Sequence, residues 1–374
     1  MLQGSEGYRP TLNADRIAAH DLRPFRDDNR PMHPRSRPLH RDDLPTFDDI
    51  RDAAARIAGL AHVTPMLRSR SLDALAGCSL FFKAENQQRA GAFKFRGAAN
   101  AVFSLTPEQA ARGVVTQSSG NHGAAVALAC RLRGVPCTVV VPRAAPRIKR
   151  EAIARNGARI VDCDVAQAAR DEATARVLAE TGGELVHPYN DARVIAGQGT
   201  ATLELLHQAR AASPGDPSRP ALDVVMAPLS GGGLMSGTAL AAHGLDARIR
   251  AIAAEPEGAA DGHDSLKGGV RITGRAAHTI SDGLRAELGP ITFAILRERC
   301  DDVLLVSGAG TVAAMRLAWD RLKVVIEPSC AVPLAAVLKH RERFEGRRVG
   351  IVLSGGNVDL DALPALLAMA PAAP

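Results

Sequence analysis

Val114-Val115-Thr116-Gln117-Ser118-Ser119-Gly120-Asn121-His122-Gly123 joins a β-branched run to a polar, glycine-punctuated loop, and an alanine-rich segment follows it. The pattern predicts a strand over Val114–Gln117 and a helix over Ala124–Leu132, with the loop between them. Strand, loop, helix is the repeating unit of a mostly parallel sheet whose crossovers cover both faces. Such loops gather at the carboxyl ends of strands, where open α/β sheets bind ligands. Small residues there let backbone amides point outward at a helix N-terminus, which suits a carboxylate or a phosphate. A capped helix start without a ligand is the alternative reading, but Ser118–Gly123 is longer and more polar than a cap requires.

Outward from this segment the same unit recurs from Phe47 onward. Strands are predicted at Leu80–Lys83, Thr138–Val141, Arg159–Asp162, Val224–Ala227, Ile249–Ala254, Val303–Val306 and Val349–Leu353, with Ala/Leu-rich helical stretches between them. Thr106-Pro107-Glu108-Gln109 is a capping box with proline at the first helical position. Gly134-Val135-Pro136 and Ser213–Pro220 read as loops. Two further glycine loops come directly after strands. Ser230-Gly231-Gly232-Gly233-Leu234 removes three successive Cβ atoms, so its backbone can wrap a phosphate closely. Its spacing fits neither a Walker loop nor a dinucleotide fingerprint, and a flexible turn is the bland alternative. Ser354-Gly355-Gly356-Asn357 sets a hydroxyl at a strand's end, where it can meet a heteroatom of a ring lying across the sheet.

Gly91-Ala92-Phe93-Lys94-Phe95-Arg96-Gly97 places a lysine between two aromatics. Desolvation disfavours the ammonium form, and a neutral lysine is a nucleophile able to form a Schiff base with an aldehyde. A surface lysine on an amphipathic helix, with Phe93 turned inward, is the other reading. Lysine, phosphate-cradling loop, carboxylate-binding loop and ring-nitrogen partner together are what pyridoxal phosphate and an amino-acid substrate need.

Composition bounds the alternatives. The chain has 374 residues, 46% hydrophobic and 23% charged, which is ordinary for a globular protein of two to three domain-sized units. A net charge of +6 is modest, no basic stripe forms, and aromatics are only 3% of residues, so nucleic-acid binding is not expected. No apolar run reaches the roughly 18 residues a membrane span needs. Cys78, Cys130, Cys137, Cys163, Cys300 and Cys330 form no C-x-x-C pair, which argues against a zinc site or redox dithiol and for a reducing cytoplasm. Residues 1–45 are rich in Arg, Asp, Pro and His without hydrophobic period, and read as a disordered or loosely attached extension.

The chain resembles the fold-type II pyridoxal-phosphate enzymes, and within them the threonine/serine dehydratase and serine racemase family. The resemblance covers residues 45 to 370 and rests on GAFKFRG at 91, SSGNHG at 118, AGQGT at 196, SGGGL at 230, AEPEGAAD at 254, DGL at 282, EPS at 327 and LSGGNVD at 353. It implies a tryptophan synthase β-like α/β fold with two open, mostly parallel sheets, helices on both faces, and the cofactor between the domains. The large domain would take residues 46–112 plus 191–374, and the small domain 113–190. It also implies residue roles. Lys94 is the Schiff-base lysine and Phe93 packs beside the ring. Asn121 meets the cofactor's phenolic oxygen. Ser230, Gly231, Gly232, Gly233 and Leu234 hold the phosphate, and Ser354 contacts the pyridine nitrogen. Ser118, Ser119, Gly120 and His122 surround the substrate carboxylate, with Arg170 closing over it. Glu255, the Ala259 carbonyl and Asp261 match a divalent-cation site for Mg²⁺, or Mn²⁺ or Ca²⁺, although a solvated loop would read the same.

The implied reaction takes water, then ammonia, from a small β-hydroxy amino acid such as L-serine or L-threonine. Lys94 serves one face of the substrate and Ser119 the other, so racemisation is an alternative outcome. A 3-hydroxyaspartate dehydratase is a further alternative, and a non-catalytic pyridoxal-phosphate binder a remote one. His187–Asn190 is expected on the substrate side. A homodimer follows from the resemblance, as does the absence of isoleucine control in short catabolic-type members. Ser230, Ala124 and Cys330 depart from the usual glycine, glutamine, and glycine or alanine.

Overall fold

The computed structural model describes residues 40–369, apart from 119, 146, 213–215 and 217. The extension assigned to residues 1–45 therefore lies almost wholly outside the described residues, as does part of the Ser213–Pro220 loop. The ten described strands are β1 (Met66–Leu67), β2 (Ser79–Lys83), β3 (Val114–Gln117), β4 (Cys137–Pro142), β5 (Arg159–Cys163), β6 (Glu184–Leu185), β7 (Val224–Pro228), β8 (Arg250–Pro256), β9 (Asp302–Val306) and β10 (Arg348–Val352). They form a six-stranded sheet ordered β1-β2-β10-β7-β8-β9 and a four-stranded sheet ordered β5-β4-β3-β6. Every pairing is parallel except β1 with β2. The sequence alone misses β1 and β6, because two residues carry no period.

Alternation along the strands shows why both faces of the large sheet are covered. Val224 and Met226 of β7 enter one core, while Val225 and Ala227 enter the other. Ile252 and Ala254 of β8 oppose Ala251 and Ala253 in the same way. A strand buried on both sides reads as a continuous apolar run. In the small sheet, Val139 and Val141 pack with Ile153, while Val115 and Val140 pack with Ala173 and Val177. Each fully buried Val or Ile contributes roughly 1.5–3 kcal/mol.

The helix Lys94–Phe103 is held by close contact and by charge. A Cβ on Gly197, in the helix Ala192–Ala212, would lie 2.6 Å from the Gly97 Cα and 2.7 Å from the Arg96 carbonyl oxygen. Glycine there lets two backbones touch. Arg96 is fully buried, giving Nε to Glu85 Oε2 at 2.7 Å and Nη1 to Glu204 Oε1 at 2.8 Å. Glu204 also accepts from the buried Lys83 at 2.6 Å, so two cations and two carboxylates share one hydrogen-bonded cluster.

Gly197→Ala forces the two helices apart in a core that cannot expand. A loss of about 1–3 kcal/mol is expected, read as a lower denaturant midpoint with an unchanged m-value.

Candidate active site

Loops after β3, β7 and β10 converge on one cavity of about 380 Å³. The helix predicted to start at Ala124 starts at Asn121, so Asn121 and His122 sit in its first turn and Gly120 is its N-cap. The helix after Pro228 starts at Gly233, inside the stretch read as a glycine loop. Both starts bring helix N-termini, with their unpaired amides, to the cavity wall.

Lys94 opens its helix at the cavity wall. Two left-handed residues, Ala90 at φ 59° and Gly91 at φ 70°, turn the chain just before it. The Phe93 amide then donates to the Ser354 carbonyl at 3.0 Å, tying this turn to the end of β10. Lys94 Nζ donates to the Pro188 carbonyl at 2.9 Å and lies 5.1 Å from the Phe93 ring centroid. Phe95 corrects the picture of a lysine hemmed by two aromatics. It is fully buried in the core shared with Ala125 and Val126 and does not line the cavity. Burial still lowers the Lys94 ammonium to about 8, against a smaller upward pull from Glu327. The amine is therefore partly neutral near physiological pH, whereas an exposed lysine is not.

The 230–234 loop lines the same cavity. Ser230 is left-handed at φ 50°, a conformation a serine rarely takes, and Gly232 is left-handed at φ 86°. A Cβ on Gly231 would lie 2.5 Å from the Tyr189 ring, so the loop rests flat on that side chain. Ser230 Oγ accepts from the Ala286 amide at 3.4 Å, and Leu234 is buried. Tyr189 in turn stacks edge-on to His187, with centroids 4.6 Å apart. Burial holds His187 down to about 4 and raises Tyr189 to about 12, so both are neutral at pH 7.

Ser118, Gly120, Asn121 and His122 line the cavity from the side of the small sheet. Ser119 lies outside the described residues. The His122 ring nitrogen Nε2 is 3.2 Å from the Val186 carbonyl, and burial pushes the imidazole well below its usual range. Its Nδ1 is buried without a partner among the described residues. Arg170 lines the same cavity with Nε on the Val165 carbonyl at 3.1 Å. Ser354 is buried at the base. Of the stretch His187–Asn190, His187, Pro188 and Tyr189 line the cavity and Asn190 does not.

Several lining residues escaped the sequence reading. Lys149, carried by the helix Arg147–Ala154, pairs with Asp282 across the cavity. Glu327, at the N-cap of the helix Pro328–Lys339, is buried beside Lys94 and accepts from Asn121 Nδ2 at 3.0 Å. A carboxylate before Pro-Ser was the available signal, but it reads equally as an ordinary helix start.

Glu255, Ala259 and Asp261 lie apart from the cavity. Glu255 accepts from the amides of Gly262 and His263 at 3.3 and 2.8 Å. Burial raises its carboxyl to about 8 and that of Asp261 to about 6. Asp261 Oδ2 is buried without a partner among the described residues. Among the described residues no three His, Cys, Asp or Glu side chains converge as a metal cluster.

A sequence profile for pyridoxal-phosphate dependent enzymes matches residues 57–355. The chain belongs to this family. It is similar to the beta-hydroxyaspartate dehydratase of Paracoccus denitrificans, 47% identical over 86% of this chain and 99% of that one. It is equally similar to a serine racemase of Arabidopsis thaliana, 47% identical over 84% and 93%. The structure of maize serine racemase superposes with a TM-score of 0.81 at 46% identity, covering 86% of this chain and 96% of that one. The fold is thus that of the fold-type II pyridoxal-phosphate enzymes, and the chain is an enzyme of the serine racemase and dehydratase type. Among the described residues no helix is long and apolar enough to cross a membrane.

The chain fits the cofactor that this family takes. The 230–234 loop presents backbone where a Cβ would collide, and a desolvated lysine lines the same cavity. Gly231→Ala drives a methyl into the Tyr189 ring. Affinity for pyridoxal phosphate should fall about tenfold or more, and a second change, Tyr189→Ala, should restore part of it. Equilibrium titration of the apo-enzyme measures both.

Proposed function

We propose that this enzyme dehydrates a small β-hydroxy amino acid, releasing a 2-keto acid and ammonium. Serine and threonine are the first substrates to consider. The observation that carries the reading is a partly neutral lysine amine and a glycine-built anion cradle in one cavity. Pyridoxal phosphate, when bound, supplies an electron sink for negative charge at the substrate Cα. Lys94 would anchor it through Nζ, and that same nitrogen, once free, would take the Cα proton. Amides of residues 230–234 would hold the phosphate, while Phe93 and Asn121 flank the ring.

Ser354 would offer a hydroxyl, not a carboxylate, to the pyridine nitrogen, and the weaker electron sink that results favours quick loss of the β-hydroxyl. Ser118, Gly120 and His122 would receive the substrate carboxylate at the N-terminus of the helix Asn121–Arg133. A neutral His122 adds no competing charge there. Ser119 is the proposed proton carrier on the second face.

A second reading, 3-hydroxyaspartate as substrate, is favoured by Arg170 and Arg285. Both line the cavity on backbone carbonyls, and neither pairs with a carboxylate among the described residues. Keto-acid release from L-serine, D-serine, L-threonine and the 3-hydroxyaspartate isomers, with product chirality, ranks these readings. The six free cysteines support a reducing, cytoplasmic setting.

Lys94→Ala should lose all turnover together with the visible absorbance of retained cofactor. Persistence of both in that variant would refute the assignment.

We assign Glu255, the Ala259 carbonyl and Asp261 to a divalent cation, which would balance two buried carboxylates through hard oxygen ligands. Each carboxyl holds its proton more tightly folded than unfolded. Without a cation, stability should therefore fall as pH rises from the ordinary carboxylate range through about 6 and about 8. The rise in Tm on adding Mg²⁺ should be larger at pH 8 than at pH 5, and equal rises would contradict the site.

A further inference from the structure

The carboxyl of Glu327 is a buried acid of the cavity that the proposed chemistry leaves without a task. Its surroundings are unusually well defined. Asn121 Nδ2 donates to both of its oxygens, at 3.0 and 3.3 Å. Asn121 Oδ1 accepts from Asn357 Nδ2 at 2.9 Å, and Asn357 Nδ2 also donates to the Ala90 carbonyl at 2.8 Å. Both ends of the Asn121 amide are therefore committed. A flipped amide would set oxygen against carboxylate and nitrogen against nitrogen. The relay ends on the left-handed turn that launches Lys94. From the other side Gly355 closes in, and a Cβ there would lie 2.5 Å from Glu327 Oε1.

We propose that Glu327 is a positioning residue: it fixes the Asn121 amide toward the cavity and sets a carboxyl group in the same cavity wall as the Lys94 amine. The charged groups that reach it are Asp282, from the turn Asp282–Leu284, Lys149, from the helix Arg147–Ala154, and Lys94 itself. On its own helix Cys330 faces it as a neutral thiol, raised to about 12 by burial. Burial and Asp282 push the Glu327 proton affinity up, to about 7, against the amide of Asn121 and the two lysines. The carboxyl thus titrates just below Lys94, and its anion favours the ammonium form of that amine. Glu327 makes the lysine less reactive than burial alone would leave it, in exchange for a fixed amide.

The inference rests on Lys94 as the residue that captures the cofactor, and the test separates the two. Apo-enzyme is mixed with pyridoxal 5'-phosphate, and the rate of imine formation at Lys94 is followed from about pH 5 to about pH 10. The wild type should show two ionisations. In Glu327→Gln the lower one should vanish and the upper one should move down by about one unit. Cofactor affinity should change less than about threefold in Glu327→Gln, whose amide oxygen still accepts from Asn121, and fall about tenfold or more in Glu327→Leu.

An unshifted profile in Glu327→Gln, or equal affinities in the two variants, overturns the proposal. If the variants do not fold, a single ionisation in the wild type does the same. Failure of the wild type to label at Lys94 would instead overturn the assignment of that lysine.

Discussion

The guanidinium of Arg96 is fully buried two residues after Lys94, and the helix that carries both is tolerable there only because Glu85 and Glu204 match its charge. An unpaired charge in that position would cost several kcal/mol. Here each oxygen of Glu85 and of Glu204 accepts a hydrogen bond from the fork, and Lys83 completes the balance. Bidentate pairing fixes direction as well as energy. Arg96 thereby sets the rotation of its helix, and with it the aim of Lys94 into the cavity. The contact between Gly97 and Gly197 fixes the depth of the same helix.

Around that helix, the two sheets supply loops of matching character. The helices that follow β3 and β7 start at Asn121 and Gly233, and each brings its N-terminal amides to the cavity. The site is built chiefly from backbone, held by a few side chains that cannot move. Tyr189 lies under one loop, Val186 anchors the His122 ring beside the other, and the Pro188 carbonyl receives the lysine. Segment 186–189 thus touches all three parts of the cavity. It is the piece that keeps the 230–234 loop, the Lys94 amine and the His122 ring in register.

Much of this was legible in the chain, for reasons that can be named. Val114–Gln117 was read with its true boundaries because a β-branched run, Val114-Val115-Thr116, leads straight into a polar, glycine-punctuated loop. The glycine loops were legible because they follow such runs directly. The helix start at Asn121 was read late, since polar and glycine residues resemble loop until their cap is seen. Phe95 was misjudged because adjacent residues on a helix point in different directions, about 100° apart. Lys149, Asp282 and Glu327 come from distant stretches of sequence, and only tertiary packing brings them to Lys94. No local spacing records that meeting.

The pair between Lys149 and Asp282 has a consequence of its own. It ties a helix beneath the small sheet to a turn beyond the large one, and both side chains remain reachable by water. Dissolved ions screen such a tie, while leaving the sealed Arg96 cluster nearly untouched. Two sides of the chamber are thereby joined by a fastening whose grip the surrounding electrolyte can adjust.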